Sequence, residues 1–429
     1  MLESLFKLSH NDTDVRTEVM AGLTTFLTMA YIVFVNPSIL KETGMDQGAV
    51  FVATCLAAAI GTAIMALYAN YPVALAPGMG LNAYFTYGVV LGMGHTWQVA
   101  LGAVFLSGIL FLVLSVLPVR EWIVNAIPRS MKMAISAGIG MFLAIIGLKN
   151  ADVVVDHPAT LVTLGNVTAP SVILAGVGFA LMAALSARRI PGAIVISILV
   201  VTVVGILGGV SDVGGVFSMP PSIGPTFLQM DIAGAFNVGL ITIVFAFLFV
   251  DLFDTAGTLV GVAHQANLLD GRGRLPRLRK ALMADSTATL AGAALGTSTT
   301  TSYIESTAGI NAGGRTVLTA LVVAILFLAC LFLSPLAGTI PAYATAPALV
   351  FVACLMMRRL AEIDWDDITD VALAVITAIS MPLTFSIATG IGLGFISYTV
   401  IKLLGGKHKD IGIAVPILAA AFVIKFAIL

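Results

Sequence analysis

Charged residues are scarce in this sequence of 429 residues. Asp, Glu, Lys and Arg make up 10% of it and hydrophobic residues 59%, whereas soluble proteins average about 25% charged residues. This composition excludes a soluble enzyme. The apolar residues recur in runs of about 20, the length at which a helix crosses a bilayer, and the net charge of −1 excludes nucleic acid as a partner. We therefore predict an all-α, polytopic membrane protein.

Cysteines and catalytic motifs are also sparse. Cys55, Cys330 and Cys354 lie inside apolar runs, so they form no disulfide framework of the secreted kind. HExxH and GxSxG motifs are absent, and the five histidines fall near loops or the ends of runs, which argues against an intramembrane enzyme. Because the phosphate-binding motif of ATPases is also absent, we expect an ion gradient to supply energy, with no cofactor and no metal.

Charged residues and Pro/Gly breaks divide the chain into fourteen predicted spans. Those of the first half are 17–36, 47–70, 73–92, 96–117, 127–149, 170–187 and 191–210. Those of the second half are 234–263, 279–297, 303–313, 315–335, 342–360, 366–383 and 386–404. The loop 211–233 separates the halves, and a further apolar run, 410–428, has no place in this scheme.

The basic residues indicate the orientation of these spans. With the N-terminus in the cytoplasm, all of the 21 Lys and Arg except Lys41, Lys149 and Lys425 fall on the cytoplasmic side. The loop 211–233 then lies outside. An odd number of spans in each half turns the second half upside down, which is the signature of an inverted repeat. We expect a multi-pass protein of the plasma membrane, the inner membrane in bacteria.

Spans 3 and 10 contain segments that disfavour a continuous helix. Span 3 reads VALAPGMGLNAYF, with Pro77, Gly78 and Gly80 at its middle. Span 10 reads GTSTTTSYIESTAGI, where the run 297–302 favours an extended backbone before a short helix. Irregular backbone inside a membrane must line a polar cavity or be buried in protein. Matching breaks in the two halves therefore point to a transporter's binding site.

Ionisable residues inside the spans are few, and each is costly in hydrocarbon. Span 8 carries a polar stripe at positions i, i+3, i+4 and i+7: Asp251, Asp254, Thr255 and Thr258. Asp285 and Glu305 follow in spans 9 and 10. Since no basic residue lies deep in a span, these carboxylates must be protonated, hydrogen-bonded or facing a ligand that donates hydrogen bonds. For Asp254 and Asp285 a structural role remains as open as a functional one.

The polar residues favour a small, uncharged ligand rich in hydrogen-bonding groups. A phosphate or carboxylate substrate would need Arg or Lys, and a simple cation would need a denser set of oxygen ligands. A channel is disfavoured because the acids lie asymmetrically, on spans 8 and 10. Asn82, after the break in span 3, is either part of the site or a helix N-cap.

At these residues the sequence resembles the AzgA-like purine permeases of the nucleobase–ascorbate transporter (NCS2) superfamily. The matching segments are EVMAGLTTFLTMAYIVFVNP, APGMGLNAYF, FVDLFDTAGTLVGVA, GTSTTTSYIESTAGI and LSPLAGTIPAYATAPALV. The resemblance implies two inverted seven-span repeats, with a short strand and a half-helix in spans 3 and 10. It also implies a core domain (17–117 and 234–335) and a gate domain (118–210 and 336–404). Outside this plan we expect a cytoplasmic segment, 1–16, before the domains and an apolar segment, 405–429, after them.

The resemblance also implies roles for individual residues. Asp251 and Glu305 match the family's two substrate-binding acids, and Asn82 matches its critical asparagine. Asp254 and Asp285 match acids that support the site. Asp251, Asp254, Asp285 and Glu305 are all candidates for the group that carries the proton, with Glu305 the first choice.

Substrate type follows from the same comparison. Uracil-specific relatives carry a histidine at the position of Thr255, so the sequence favours a purine, and its motifs favour hypoxanthine and guanine over adenine. Uptake of adenine only, uracil or xanthine remains the alternative. We predict Thr255 and Ser302 as further substrate contacts. The family resemblance implies proton symport, a core that moves like an elevator against the gate, and a homodimer within the lipid bilayer.

Overall fold

The computed structural model describes residues 6, 8–117, 128–236, 241–266, 268, 275–407, 411–412 and 414–428. Several predicted features lie partly outside these residues. They are the join of core and gate segments at 117/118, the start of span 8 near 237–240, and the junction at 408–410 before the last apolar run. The described residues are mostly helical.

The first half of the chain contains eight described helices and three short strands. They are α1 (Val15–Met29), α2 (Ile32–Leu40), α3 (Gln47–Ile64), β1 (Leu75–Pro77), α4 (Met79–Ala83), α5 (Trp97–Val116), α6 (Arg129–Asn150), β2 (Val154–His157), β3 (Leu161–Leu164), α7 (Pro170–Ala187) and α8 (Ala193–Leu207). Helix α3 ends in a π-helical turn, Met65–Ala69, and α4 continues as another, Tyr84–Gly92.

The second half contains ten described helices and one short strand. Its described elements are α9 (Ile232–Ala235), α10 (Ile241–Gln265), α11 (Leu278–Leu295), β4 (Thr300–Ser302), α12 (Ser306–Asn311), α13 (Val317–Cys330), α14 (Ser334–Thr339), α15 (Ala342–Met357), α16 (Ile368–Thr384), α17 (Ile387–Leu404) and α18 (Ala414–Ile428). Across the described residues of both halves, nine helical segments are long and apolar enough to cross a membrane. The protein is therefore a multi-pass membrane protein of mainly helical fold.

Two local features differ from the expectation. Predicted span 1 is divided into α1 and α2. At the break, around Ala30 and Tyr31, the bonds tighten to i→i−3, from Val33 N to Ala30 O and from Phe34 N to Tyr31 O; Pro37 lies further along, inside α2. In addition, β2 and β3 form an antiparallel hairpin in the polar loop after the fifth predicted span, where no strand was predicted.

The helices pack in two groups. Helices α1, α3, α5, α10, α11 and α13 surround β1 and β4, while α6, α7, α8, α15, α16 and α17 pack on one another. The groups meet at several contacts, one of which joins α4 to α6: a Cβ added at Gly80 would lie 2.5 Å from Ile139 Cγ2. Helix α18 lies against α17, with the ring of Phe422 stacked on Phe395 at 6.2 Å.

A buried carboxylate joins the two halves of the chain. Glu18 on α1 is fully buried and accepts hydrogen bonds from the backbone N–H groups of Arg315 (2.9 Å), Thr316 (3.1 Å) and Thr319 (3.3 Å). The Thr319 hydroxyl donates a further bond at 2.6 Å. These N–H groups lie at the start of α13, where a helix has no internal acceptors for them. Glu18 therefore caps α13 from a helix nearly 300 residues earlier in the chain.

Helix α12 packs directly on the backbone of α1. A Cβ added at Gly309 would overlap the Thr25 hydroxyl and the Ala21 carbonyl oxygen. We predict that Gly309→Ala destabilises the protein by about 1–3 kcal/mol, the usual cost of overpacking. The matched control is Gly176→Ala, in the middle of α7 with nothing within 4 Å, which should leave the melting temperature unchanged or raise it, because alanine favours a helix. Equal melting temperatures for both variants in detergent would contradict the close packing of α1 and α12.

Candidate functional site

Two broken spans meet at the centre of the first helix group. Strand β1 pairs antiparallel with β4 in the register Leu75↔Ser302, Ala76↔Thr301 and Pro77↔Thr300. The pairing continues at both ends, with Gly78 N donating to Thr299 O at 2.9 Å and Tyr303 N to Ala74 O at 3.0 Å. Each strand leads into a short helix, α4 or α12. The strand and half-helix predicted for spans 3 and 10 are both present.

Side-chain hydroxyl groups form hydrogen bonds with the backbone N–H and C=O groups in and beside β1 and β4 that this short strand pairing leaves without a partner. Thr62 on α3 accepts from Leu75 N at 2.9 Å and donates to Leu75 O at 3.0 Å. Thr289 on α11 donates to Thr300 O at 3.0 Å, and Ser306 accepts from Ala74 N at 3.0 Å. The Tyr303 hydroxyl donates to Pro77 O at 2.6 Å. Backbone inside a membrane must be satisfied within the protein, and side chains from three helices do this here.

Asp285 is the centre of a hydroxyl cluster. Its Oδ2 accepts from the Thr255 hydroxyl at 2.9 Å and its Oδ1 from the Ser302 hydroxyl at 2.8 Å. Thr255 Oγ1 also lies 2.7 Å from Thr301 Oγ1. All four side chains are buried. Thr255 and Ser302, predicted as substrate contacts, thus direct their hydroxyls to Asp285 and link α10, α11 and β4.

Asp251 lies deeper in the same region. It is 1% exposed, and its Oδ2 lies 3.3 Å from the Thr289 hydroxyl, whose one proton is shared between Asp251 Oδ2 and Thr300 O. Its Oδ1 has no hydrogen-bond partner among the described residues. Asp285 and Asp254 both lie within electrostatic range of it. The structure therefore places Asp251 beside other carboxylates, with one oxygen free.

Asp254 and Glu305 differ from these two carboxylates in exposure. Asp254 is exposed and Glu305 is partly exposed, and the two lie within electrostatic range of each other. The Tyr31 hydroxyl donates to Glu305 Oε1 at 3.0 Å. Glu305 immediately precedes α12, and Tyr31 lies at the break between α1 and α2. The side chains of Asp254 and Glu305 are thus less covered by neighbouring residues than those of Asp251 and Asp285.

Asn82 is fully buried, with neither Oδ1 nor Nδ2 bonded to any described residue. The N-cap of α4 is Gly78, so the alternative that Asn82 is a helix N-cap is wrong. An unsatisfied buried amide costs about 1–3 kcal/mol. The hydroxyls of Ser298, Thr299 and Thr300 near β4 are likewise buried and without a described partner. Buried polar groups without a partner, on both of the spans that contain β1 and β4, are suited to a ligand that forms hydrogen bonds.

Several residues of this region were not identified from the sequence. They are Tyr31, Thr62, Thr289, Thr301, Tyr303 and Ser306. Of these, only Thr301 had a local signal, as part of the run 297–302 that favours an extended backbone. Within the described ranges, no group of three or more His, Cys, Asp or Glu side chains is arranged to hold a metal ion.

Known proteins of one family are similar in sequence to this chain. Residues 16–393 match the family model Xan_ur_permease, described as the Permease family. The chain belongs to this family. It is 56% identical to a putative permease of Methanocaldococcus jannaschii over 429 residues, covering 100% of this chain and 98% of the relative. Membership makes the protein a membrane transporter and not an enzyme, which confirms both predictions.

Two further relatives carry more specific names. This permease is 50% identical to the adenine permease AdeP of Escherichia coli over 99% of this chain and 96% of AdeP. It is 44% identical to the guanine/hypoxanthine permease PbuG of Bacillus subtilis over 99% of this chain and 98% of PbuG. These similarities confirm the purine permease family as the one that the sequence resembles.

Solved structures share the fold at low sequence identity. The transmembrane domain of the cyanobacterial bicarbonate transporter BicA aligns with a TM-score of 0.66 and 16% identity, covering 90% of this permease and 97% of that chain. The inward-facing murine anion transporter Slc26a9 aligns with a TM-score of 0.64 and 10% identity, covering 91% of this permease and 69% of that chain. At such identities the likeness describes the fold alone.

The hydroxyl cluster around Asp285 yields a stability prediction. Thr255→Val keeps the side-chain shape but removes a donor to a buried carboxylate, so we expect a loss of about 1–3 kcal/mol. Thr255→Ser, which keeps the hydroxyl, should restore most of it. The control is Thr287→Val on α11, whose hydroxyl bonds to Met283 O in its own helix. If both valine variants melt at the same temperature in detergent, the Thr255 hydroxyl contributes nothing to the cluster.

Proposed function

We propose that this permease imports purine nucleobases, adenine, hypoxanthine and guanine, by proton symport. The observation that carries the proposal is the crossing of β1 and β4, with the acids Asp254 and Glu305 on one side and the unpaired amide of Asn82 on α4. A purine offers ring and exocyclic N–H donors to carboxylates, and acceptors to an amide. The names of the relatives, adenine permease and guanine/hypoxanthine permease, agree with this chemistry.

The proposed architecture has fourteen spans in two inverted repeats, and a core domain that moves against a gate domain. The antiparallel pairing of β1 with β4, one from each half, supports an inverted relation. The two helix groups support the division into core (17–117, 234–335) and gate (118–210, 336–404). The small residue Gly80 at the contact with Ile139 would let the groups slide past each other. We further propose a homodimer in the plasma membrane with a cytoplasmic N-terminus, as the basic loops suggest.

Within this proposal Asp254 replaces Asp251 as the acid of span 8 that touches the purine. Asp254 is exposed, whereas Asp251 is 1% exposed and bonded to Thr289. Thr255 and Ser302 hold Asp285 and act on the substrate indirectly. Glu305, oriented by Tyr31, is the second substrate acid. Arg359 acts on Asp254 electrostatically, which suits a site open toward the basic, cytoplasmic end.

The assignment of Asp254 is tested by paired variants. Asp254→Asn removes a charged acceptor, so the Kd for hypoxanthine or adenine should rise about 10- to 150-fold. Asp251→Asn, the matched control one helical turn earlier, should change the Kd less, because its carboxylate faces Thr289. Binding is measured by calorimetry on purified protein of confirmed melting temperature. A larger rise in Kd for Asp251→Asn than for Asp254→Asn would assign the contact with the purine to Asp251.

Substrate class is tested by uptake of labelled hypoxanthine and adenine into cells without other purine permeases. Unlabelled adenine, guanine and hypoxanthine should compete at least tenfold better than uracil or xanthine, and a protonophore should abolish accumulation. Preferred competition by uracil or xanthine would contradict the purine assignment. Accumulation that survives the protonophore would contradict proton symport.

Proton coupling is assigned to Glu305, which joins β4 to α12 and so senses movement of the core. Protonated, it can donate to a purine acceptor; ionised, it can accept from Tyr31. Glu305→Gln in liposomes should still exchange purine but should not accumulate it under an imposed pH gradient. Tyr31→Phe, which removes only the hydroxyl, should retain accumulation with altered pH dependence. If Glu305→Gln accumulates purine at the wild-type level, the proton-carrying role would be assigned to the Asp251–Asp285 pair.

A further inference from the structure

A polar cavity of about 380 Å³ shares no lining residue with the predicted substrate site. It is formed where α3 ends, α11 begins and α13 begins. Its lining residues include Leu67, Tyr68, Asn70, Arg277 and Lys280. In the proposed orientation these three helix ends all lie on the cytoplasmic side, at the edge of the bilayer.

Two cations converge on this cavity, and neither has an acidic partner among the described residues. The Arg277 guanidinium lies 4.7 Å from the centre of the Tyr71 ring, and Lys280 Nζ lies 5.6 Å from that of Tyr68. Neither forms an ion pair with another described residue, and the first turn of α11 contains no acid. The tyrosine rings hold the cations in place by cation–π contact. The cavity therefore presents two positive charges that favour binding of an anion.

The cavity also has an apolar side. Leu67 is 69% exposed and Tyr68 45% exposed, and Phe6 and Val317 complete the lining. A free anion would make no use of these side chains. An amphiphile with an anionic head and acyl chains would place its head on Arg277 and Lys280 and its chains along Leu67.

We propose that this cavity binds the phosphate headgroup of an anionic phospholipid. The site is directly connected to the core of the molecule. Arg277 N donates to the Tyr71 hydroxyl at 3.1 Å, and Tyr71 lies four residues before β1. Lys280 lies five residues before Asp285 on α11. A bound lipid therefore braces the cytoplasmic ends of the helices that carry β1 and Asp285.

Lipid binding is measured directly, so that the result does not depend on transport. Delipidated wild-type protein is titrated with phosphatidylglycerol or phosphatidylcholine and followed by native mass spectrometry. We expect tighter retention of phosphatidylglycerol, and Lys280→Gln and Arg277→Gln should each weaken it about fivefold, the usual contribution of one cation near an anionic surface. Lys280→Glu should weaken it further. The matched control is Arg279→Gln, an exposed neighbour of Lys280 that does not line the cavity, and it should retain wild-type affinity.

Three outcomes would overturn the proposal. The first is an equal loss in Arg279→Gln, which would show diffuse attraction and no defined site. The second is equal retention of phosphatidylcholine. The third is displacement of bound phosphatidylglycerol by millimolar inorganic phosphate, which would identify a site for free anions. Each comparison requires that the variant melt in detergent within about a degree of the wild-type protein. Lys280→Gln is expected to satisfy this requirement, because the Lys280 side chain is exposed.

Discussion

The structure depends on one short antiparallel pairing of three residues with three, between β1 and β4. Inside a membrane, extended backbone cannot be satisfied by water. The helices around the pair supply what it lacks: Thr62 bonds both backbone groups of Leu75, and Thr289 bonds the carbonyl oxygen of Thr300. Thr62 and Thr289 therefore satisfy strand atoms from neighbouring helices, whereas the hydroxyls of Ser298, Thr299 and Thr300 have no described partner.

The requirement that polar groups inside the membrane be satisfied within the protein also distinguishes the carboxylates of this region. Asp285 accepts from two hydroxyls and joins α10 to β4 through Thr255 and Ser302. Asp254, on the same helix as Thr255, is exposed. Neighbouring positions on one helix therefore differ: Thr255 is bonded to Asp285, whereas Asp254 is exposed and, in the proposed function, binds the ligand. A rigid frame matters for such a site, because a purine is recognised by the directions of its hydrogen bonds as well as by their number.

Contacts between distant parts of the chain support this arrangement. Glu18 caps α13, and α12 packs on α1 at Gly309. Both contacts bring the start of the first half against the second half, beside the Tyr31–Glu305 hydrogen bond. Span 1 is therefore part of the site's support, and its break at Tyr31 gives Glu305 a partner that a continuous helix would not place in the same way.

The sequence by itself determined the membrane class, the mainly helical fold, the breaks at Pro77 and Thr297–Ser302, and the family, because these follow from apolar run length, local backbone preference and long motifs. The polar stripe of Asp251, Asp254 and Thr255 was also predictable from helical spacing. Only the tertiary structure decided which of these residues is exposed, which hydroxyl reaches Asp285, and that Gly78 rather than Asn82 caps α4. Spacing gives the face of a helix, but exposure and hydrogen bonding depend on the neighbour that covers that face, and that neighbour lies far away in the chain.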